Sequence, residues 1–223
     1  YPELGLQESK SSALLASELE KNVFKIKSGV ADMPTAFVAT YGEGKPVIIL
    51  HGYELDHRIM TGCLEPLFHK TIGWRRIYID LPYMGKSQRV VNINSAEQIL
   101  DAVTECVLQI THGKKFILVG YSFGAYLAQH LALRHKELID GMILIAPVIF
   151  VRAKERELPP HEILVQELKQ KLFKNKDKQV WFDSLVVQTP AVWRAIQKHA
   201  LPGLNLRKKT ALDRIFSKAY AIP

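Results

Sequence analysis

From about Lys45 to Pro147, short apolar runs alternate with helix-length amphipathic stretches, and this alternation restricts the chain to one class of architecture. Pro46-Val47-Ile48-Ile49-Leu50 is apolar throughout and runs into His51-Gly52, the pattern of a strand buried on both faces. A helical stretch continues to about Lys70. Arg75-Arg76-Ile77-Tyr78-Ile79-Asp80 predicts the next strand, broken by the turn-rich Leu81-Pro82-Tyr83-Met84-Gly85. Ser95, with Gln98 three residues on, forms a capping box for a helix carrying Ile99, Leu100, Val103, Val107 and Ile110, closed by His112-Gly113. Phe116 to Gly120 predicts a third buried strand, Phe123 to His135 a helix, and Met142 to Ala146 a fourth strand. The expected fold is α/β: a mostly parallel twisted sheet with right-handed crossovers and helices on both faces.

The flanks read differently. Upstream, Asn22 to Gly29 and Thr35 to Tyr41 alternate as an antiparallel pair at a sheet edge, preceded by a short helix from about Ser11 to Lys21. Beyond Pro147 the strand signal gives way to three expected amphipathic helices. One carries Leu164, Val165, Leu168 and Leu172; the next, capped by Thr189-Pro190, carries Val192, Trp193 and Ile196; the last carries Leu212, Ile215, Phe216 and Ala219. They predict a helical cap, and so a division into a core at 1–147, with a helical lead-in at 1–21, and a cap at 148–223. Trp181, Phe182 and Trp193 read as core of that cap, with a substrate-pocket role as the alternative.

Composition narrows the functional classes. With 48% hydrophobic and 23% charged residues, disorder is excluded. No run of 18 apolar residues occurs, and Tyr1 to Lys10 lacks the order of a secretory signal, so no membrane span and a cytoplasmic location are expected. Cys63 and Cys106 fall in separate helical stretches and read as buried thiols, with neither a disulfide framework nor a metal-ligand cluster; no metal or cofactor is called for. The net charge of +8 is concentrated in the last third, where 15 Lys/Arg face 7 Asp/Glu, against 15 and 15 in residues 1–150. Solvated helix faces account for this most simply. No zinc-knuckle spacing or aromatic RNA-binding motif accompanies the charge, so a nucleic-acid partner is not expected.

The chemistry is carried by Gly120-Tyr121-Ser122-Phe123-Gly124. A serine flanked by glycines between an apolar strand and a helix sits on a tight turn that presses its hydroxyl clear of the sheet at a helix N-terminus. Residues 22–223 resemble the α/β-hydrolase fold family, in the serine-nucleophile branch with a helical cap. His51-Gly52-Tyr53 is similar to that family's His-Gly-x oxyanion turn, and Asp80-Leu81-Pro82-Tyr83-Met84-Gly85-Lys86-Ser87 to its Asp-x-Pro-Gly-x-Gly-x-Ser turn, with Tyr83 in place of a glycine. The resemblance implies Ser122 as nucleophile, the backbone N–H groups of Tyr53 and Phe123 as the oxyanion hole, and His51, Gly52, Gly120 and Gly124 as support. Asp56 and His57 read as helix N-terminal residues facing water.

A serine nucleophile needs a histidine base and a carboxylate behind it, which in this fold follow the serine in the order acid, then histidine. No such pair on strand-end loops is legible before Pro223, so both are expected beyond it. Asp183 and His199 have the required order and form the weaker in-chain alternative, with Val180 to Asp183 as a possible strand end. The expected activity is acyl transfer to water from an ester, thioester, lactone or small amide, with a small carbonyl compound as the partner. The alternative is a non-catalytic small-molecule binding protein or receptor on the same fold. A scaffold acting through the basic cap is third.

Overall fold

A computed structural model describes residues 20–24, 36–68, 70–87, 92–151, 155–169, 172–218 and 220–222. The helix expected at Ser11 to Lys21 lies outside these residues up to position 19, while Glu20 and Lys21 begin a strand, β1 (Glu20–Phe24). The strands that follow are β2 (Ala36–Tyr41), β3 (Lys45–Leu50), β4 (Trp74–Ile79), β5 (Phe116–Tyr121) and β6 (Ile139–Ile145). They form one sheet in the order β1-β2-β4-β3-β5-β6. The pairs β1/β2 and β2/β4 are antiparallel; β3/β4, β3/β5 and β5/β6 are parallel. This is the mostly parallel α/β sheet expected from the alternation of elements, with the antiparallel pair at its edge.

The all-apolar strands are explained by two cores that share the sheet. Ile48 and Leu50 of β3, with Ile77 and Ile79 of β4, face a cluster filled by α2 (Ala96–Thr111) and α3 (Phe123–Arg134). Their neighbours Val47, Ile49 and Tyr78 face the other way, against Met60 of α1 (His57–Phe68). Because successive side chains of a strand point to opposite faces, a strand with helices on both sides must be apolar at every position. Ser95 caps α2 as expected, its hydroxyl accepting the N–H of Gln98 at 3.1 Å, whereas the Gln98 side chain returns to the N–H of Asn94 at 2.6 Å. His112 ends this helix in the left-handed region, with φ 51°.

Among the described residues four helices follow the sheet: α4 (Lys176–Asp183), α5 (Pro190–His199), α6 (Leu201–Leu206) and α7 (Lys209–Lys218). The helix expected across Leu164 to Leu172 is not present. Val165–Gln166 instead forms a two-residue parallel bridge, β7, with Val187–Gln188, β8. The backbone N–H groups of Leu164 and Glu167 are committed to the carbonyls of Val186 and Gln188. Leu164, Val165 and Leu172 are 73%, 41% and 92% exposed, and of the apolar stripe that mimicked a helix only Leu168 packs against a core cluster. Val180 to Asp183, weighed as a strand end, is helical. The helix begun at Thr189-Pro190 is present, the Thr189 hydroxyl accepting from the N–H of Val192 at 3.3 Å. Phe182 and Trp193 are buried in a separate cluster with Leu201 and Leu204 that reaches the sheet domain at Leu55. Helix α7 belongs elsewhere: Leu212 and Ile215 join the main core under α2 and α3.

Two thiols differ in environment. Cys106 is buried on α2, where desolvation pushes its thiol up to about 12. Cys63, expected to be buried, is exposed on α1, whose buried contacts are made by Met60 and Glu65. No helix among the described residues is long and apolar enough to cross a membrane.

Candidate active site

The turn joining β5 to α3 has the geometry its sequence demands. Ser122 stands at φ 53° and ψ −114°, a conformation that L-residues seldom adopt. It is fixed from both sides. The Ser122 N–H donates to the Ile145 carbonyl of β6 at 2.9 Å, and the Ser122 carbonyl accepts the N–H groups of Ala125 and Tyr126. A Cβ on Gly120 would lie 2.5 Å from the Ala125 Cα, and one on Gly124 only 2.4 Å from the Leu50 carbonyl oxygen. Glycine is therefore obligatory at both positions, because backbone rather than a yielding side chain occupies the space. Ser122 itself is partly exposed.

The turn after β3 lies directly against it. A Cβ on Gly52 would meet the Tyr121 ring at 3.0 Å and the Ser122 Cβ at 3.3 Å. Gly52 to Leu55 forms a tight turn closed by the Leu55 N–H on the Gly52 carbonyl at 3.3 Å, with Glu54 at φ 60°. Tyr53 is the second residue of this turn, so its N–H takes no part in the closing bond. Phe123 is the first residue of α3, and the first N–H groups of a helix have no partner within it. The structure thus brings His51, Gly52, Tyr53, Gly120, Ser122, Phe123 and Gly124 to one place at the carboxyl ends of β3 and β5.

His51 is held between this turn and the one after β4. It is fully buried; its Nδ1 donates to the Gly52 carbonyl at 2.8 Å and its Nε2 accepts the Leu81 N–H at 3.0 Å. Both ring nitrogens are consumed, the tautomer is fixed, and burial lowers the imidazole pKa so that it stays neutral, against the raising influence of Asp80. Asp56 and His57, expected to face water, are drawn inward. Asp56 is 1% exposed and paired with Arg58, and the His57 ring bonds to Asp80 at 2.8 Å. Asp80 is fully buried. Desolvation opposes its ionisation, but the His57 hydrogen bond and charge, His51 nearby and the Lys86 N–H outweigh that and hold its carboxyl below the usual range. Tyr83, where the related motif has glycine, takes the glycine-like φ of 65°, its hydroxyl donating to the Ile93 carbonyl at 3.1 Å.

Asp183 and His199 are not brought to Ser122 or to each other. The Asp183 carboxylate accepts from Gln179 at 2.8 Å, and the His199 ring lies against Gly62 of α1, where an added Cβ would sit 2.5 Å from its Nδ1. Residues that sequence reasoning passed over are also at the site: Phe216 of α7 packs its ring 4.0 Å from that of Tyr53 and 4.8 Å from that of Phe123. Its place on the last amphipathic stripe marked it only as core. Among the described residues, no three His, Cys, Asp or Glu side chains converge as a metal site would require.

Comparison with known proteins follows the same lines. A family model described as alpha/beta hydrolase fold matches residues 45–198. The chain is 29% identical over 130 residues to a pimeloyl-[acyl-carrier protein] methyl ester esterase of Shewanella sp. (strain MR-7), covering 58% of this chain and 45% of that one. It is 31% identical over 113 residues to the AB hydrolase superfamily protein YisY of Bacillus subtilis (strain 168), covering 50% and 41%. The chain thus spans less than half the length of these curated relatives. Among solved structures, an alpha/beta superfamily hydrolase from Oenococcus oeni PSU-1 superposes with a TM-score of 0.77 at 30% identity, covering 90% of this chain and 72% of that one.

Proposed function

Given that the chain belongs to the α/β-hydrolase fold family, we propose that it carries the nucleophile and oxyanion hole of a serine hydrolase acting on a carboxylic ester, thioester, lactone or small amide. The observation that carries this reading is the strained turn at Ser122, held at φ 53° with Gly52 pressed against its Cβ. Strain of about 1–3 kcal/mol at a single non-glycine residue is kept where the surrounding structure over-determines it, and functional sites are where such residues cluster. The relative named for methyl-ester hydrolysis favours an ester among the substrate classes.

In the proposed reaction the Ser122 Oγ bonds to the carbonyl carbon while its proton passes to a general base. The resulting oxyanion is held by the N–H groups of Tyr53 and Phe123. Collapse breaks the bond to the leaving alcohol, which takes the proton from the base, and water then repeats the sequence on the acyl-enzyme. A histidine base with a carboxylate behind it is what this chemistry requires. β6 is the edge of the sheet among the described residues, and Met142 and Ile143 are 42% and 55% exposed on it. Helices α4 to α6 are assigned as the cap over the site, and the substrate is the only small-molecule partner proposed.

A fluorophosphonate probe on the full-length protein tests the reading. Rapid labelling of the wild type, with labelling and ester hydrolysis both lost in Ser122→Ala, is the expected result. Hydrolysis that survives Ser122→Ala rules the proposal out, and tight ligand binding without labelling replaces it with the binding-protein reading.

A further inference from the structure

The two proposed oxyanion donors come from separate parts of the chain, one in the turn after β3 and one at the start of α3. An oxyanion hole works only while both N–H groups converge on one point, within about 0.5 Å of the productive geometry. What sets their separation is therefore part of the machinery. The backbone bond from Ser122 to Ile145 fixes the α3 end, and Gly124 packs closely against the Leu50 carbonyl. The Tyr53–Glu54 turn is less constrained from within, since Glu54 occupies the left-handed region, which costs a non-glycine residue about 1–2 kcal/mol.

We infer that Phe216 and Arg207, from α7 and the segment leading into it, are positioning residues that hold the oxyanion turn in register with the nucleophile. The Phe216 ring lies between the side chains of the two donor residues, 4.0 Å from Tyr53 and 4.8 Å from Phe123. Arg207 grips the next residue of the turn: its Nε donates to Glu54 Oε1 at 2.9 Å, its Nη2 donates to Asp177 Oδ2 at 2.8 Å, and its Nη1 donates to the Leu204 carbonyl. The Arg207 side chain is only 6% exposed, and its three bonds hold the fork in one orientation. The Tyr53 hydroxyl reaches Asp213 on α7 at 3.5 Å. Consecutive residues of the turn are thus anchored to consecutive parts of the helical segment. Helix α7 is itself seated in the main core through Leu212 and Ile215.

This inference rests on the assignment of Tyr53 and Phe123 as donors, and the experiment separates the two. Full-length Phe216→Leu, Phe216→Ala, Arg207→Met and Arg207→Lys proteins, checked for folding by circular dichroism, are assayed on p-nitrophenyl butyrate and for inhibition by phenylboronic acid, with Ser122→Ala as reference. Displaced donors lower transition-state stabilisation, so Phe216→Leu and Arg207→Met lower kcat by about tenfold or more and weaken boronic acid binding in parallel, with KM nearly unchanged. Arg207→Lys keeps a charge for Glu54 without the fork and recovers part of the loss. Should Phe216→Ala fail to fold, the leucine and arginine variants decide the matter. If Phe216→Leu and Arg207→Met keep kcat within about twofold of wild type while Ser122→Ala is inactive, the positioning role is overturned and the nucleophile assignment stands. Activity in Ser122→Ala removes both.

Discussion

The Leu81 N–H donates to Nε2 of His51 across 3.0 Å, so the turn after β3 and the turn after β4 are joined through one buried imidazole. The opposite ring nitrogen holds the carbonyl of Gly52, the residue pressed against Ser122. A neutral ring suits both bonds, since one nitrogen must donate and the other accept.

That requirement makes stability depend on pH. The folded-state pKa of His51 is lowered from its ordinary 6.5, so the unfolded chain binds a proton that the folded one refuses. The contribution is complete above about pH 6.5 and is lost as pH falls, at up to about 1.4 kcal/mol per pH unit. Asp80, 3.9 Å from Nε2, and Asp56 act in the opposite sense and His57 in the same one. Denaturant unfolding between pH 7.5 and 5 should show this slope in the wild type and a flatter one in a less stable His51→Asn protein. Equal slopes would refute the assignment.

Strain at Ser122 predicts a trade between activity and stability. Glycine accepts φ 53° freely, so Ser122→Gly should abolish hydrolysis while raising unfolding free energy by about 1–2 kcal/mol. A thermal melt of the variant below that of the wild type contradicts this.

At Tyr83 the balance runs the other way. Glycine would relieve the left-handed φ of 65°, worth about 1 kcal/mol, but would also remove a buried ring and its hydrogen bond to Ile93, worth about 3–4 kcal/mol. Tyr83→Gly should therefore destabilise by about 2–3 kcal/mol, read from chemical denaturation.

Two glycine-to-alanine changes should differ sharply. At Gly124 the new Cβ meets the Leu50 carbonyl oxygen at 2.4 Å, and a loss of about 3 kcal/mol or more is expected, with the turn displaced. At Gly113 nothing lies within 4 Å and only the φ of 69° opposes the substitution, at about 1 kcal/mol. Paired denaturation curves test the contrast.

The sequence was most legible where local geometry and burial demand the same residues. Gly120-Tyr121-Ser122-Phe123-Gly124 needs glycines against backbone, Ser95 must cap its helix, and strands buried on both faces must be apolar throughout. It misled where a local pattern was only partly used: Leu164, Val165, Leu168 and Leu172 are spaced for a helix, yet the segment bonds to Val186 and Gln188 and partly buries only Leu168 of the four. Contacts between distant residues were not legible at all. Nothing local distinguishes His57 bonded to Asp80 from a solvated helix start, or Phe216 wedged between Tyr53 and Phe123 from ordinary core.

The order of the strands carries a kinetic consequence. β3 pairs with β4 and with the much later β5, and the Ser122 turn is closed only when β6 supplies the carbonyl of Ile145. Such distant pairings are entropically slow to form. The uncomfortable backbone of Ser122 is therefore imposed by a sheet already assembled, and the hydroxyl reaches its partly exposed place late in folding. A nascent or partly refolded chain would carry helices and strands well before it carried the Ser122 turn.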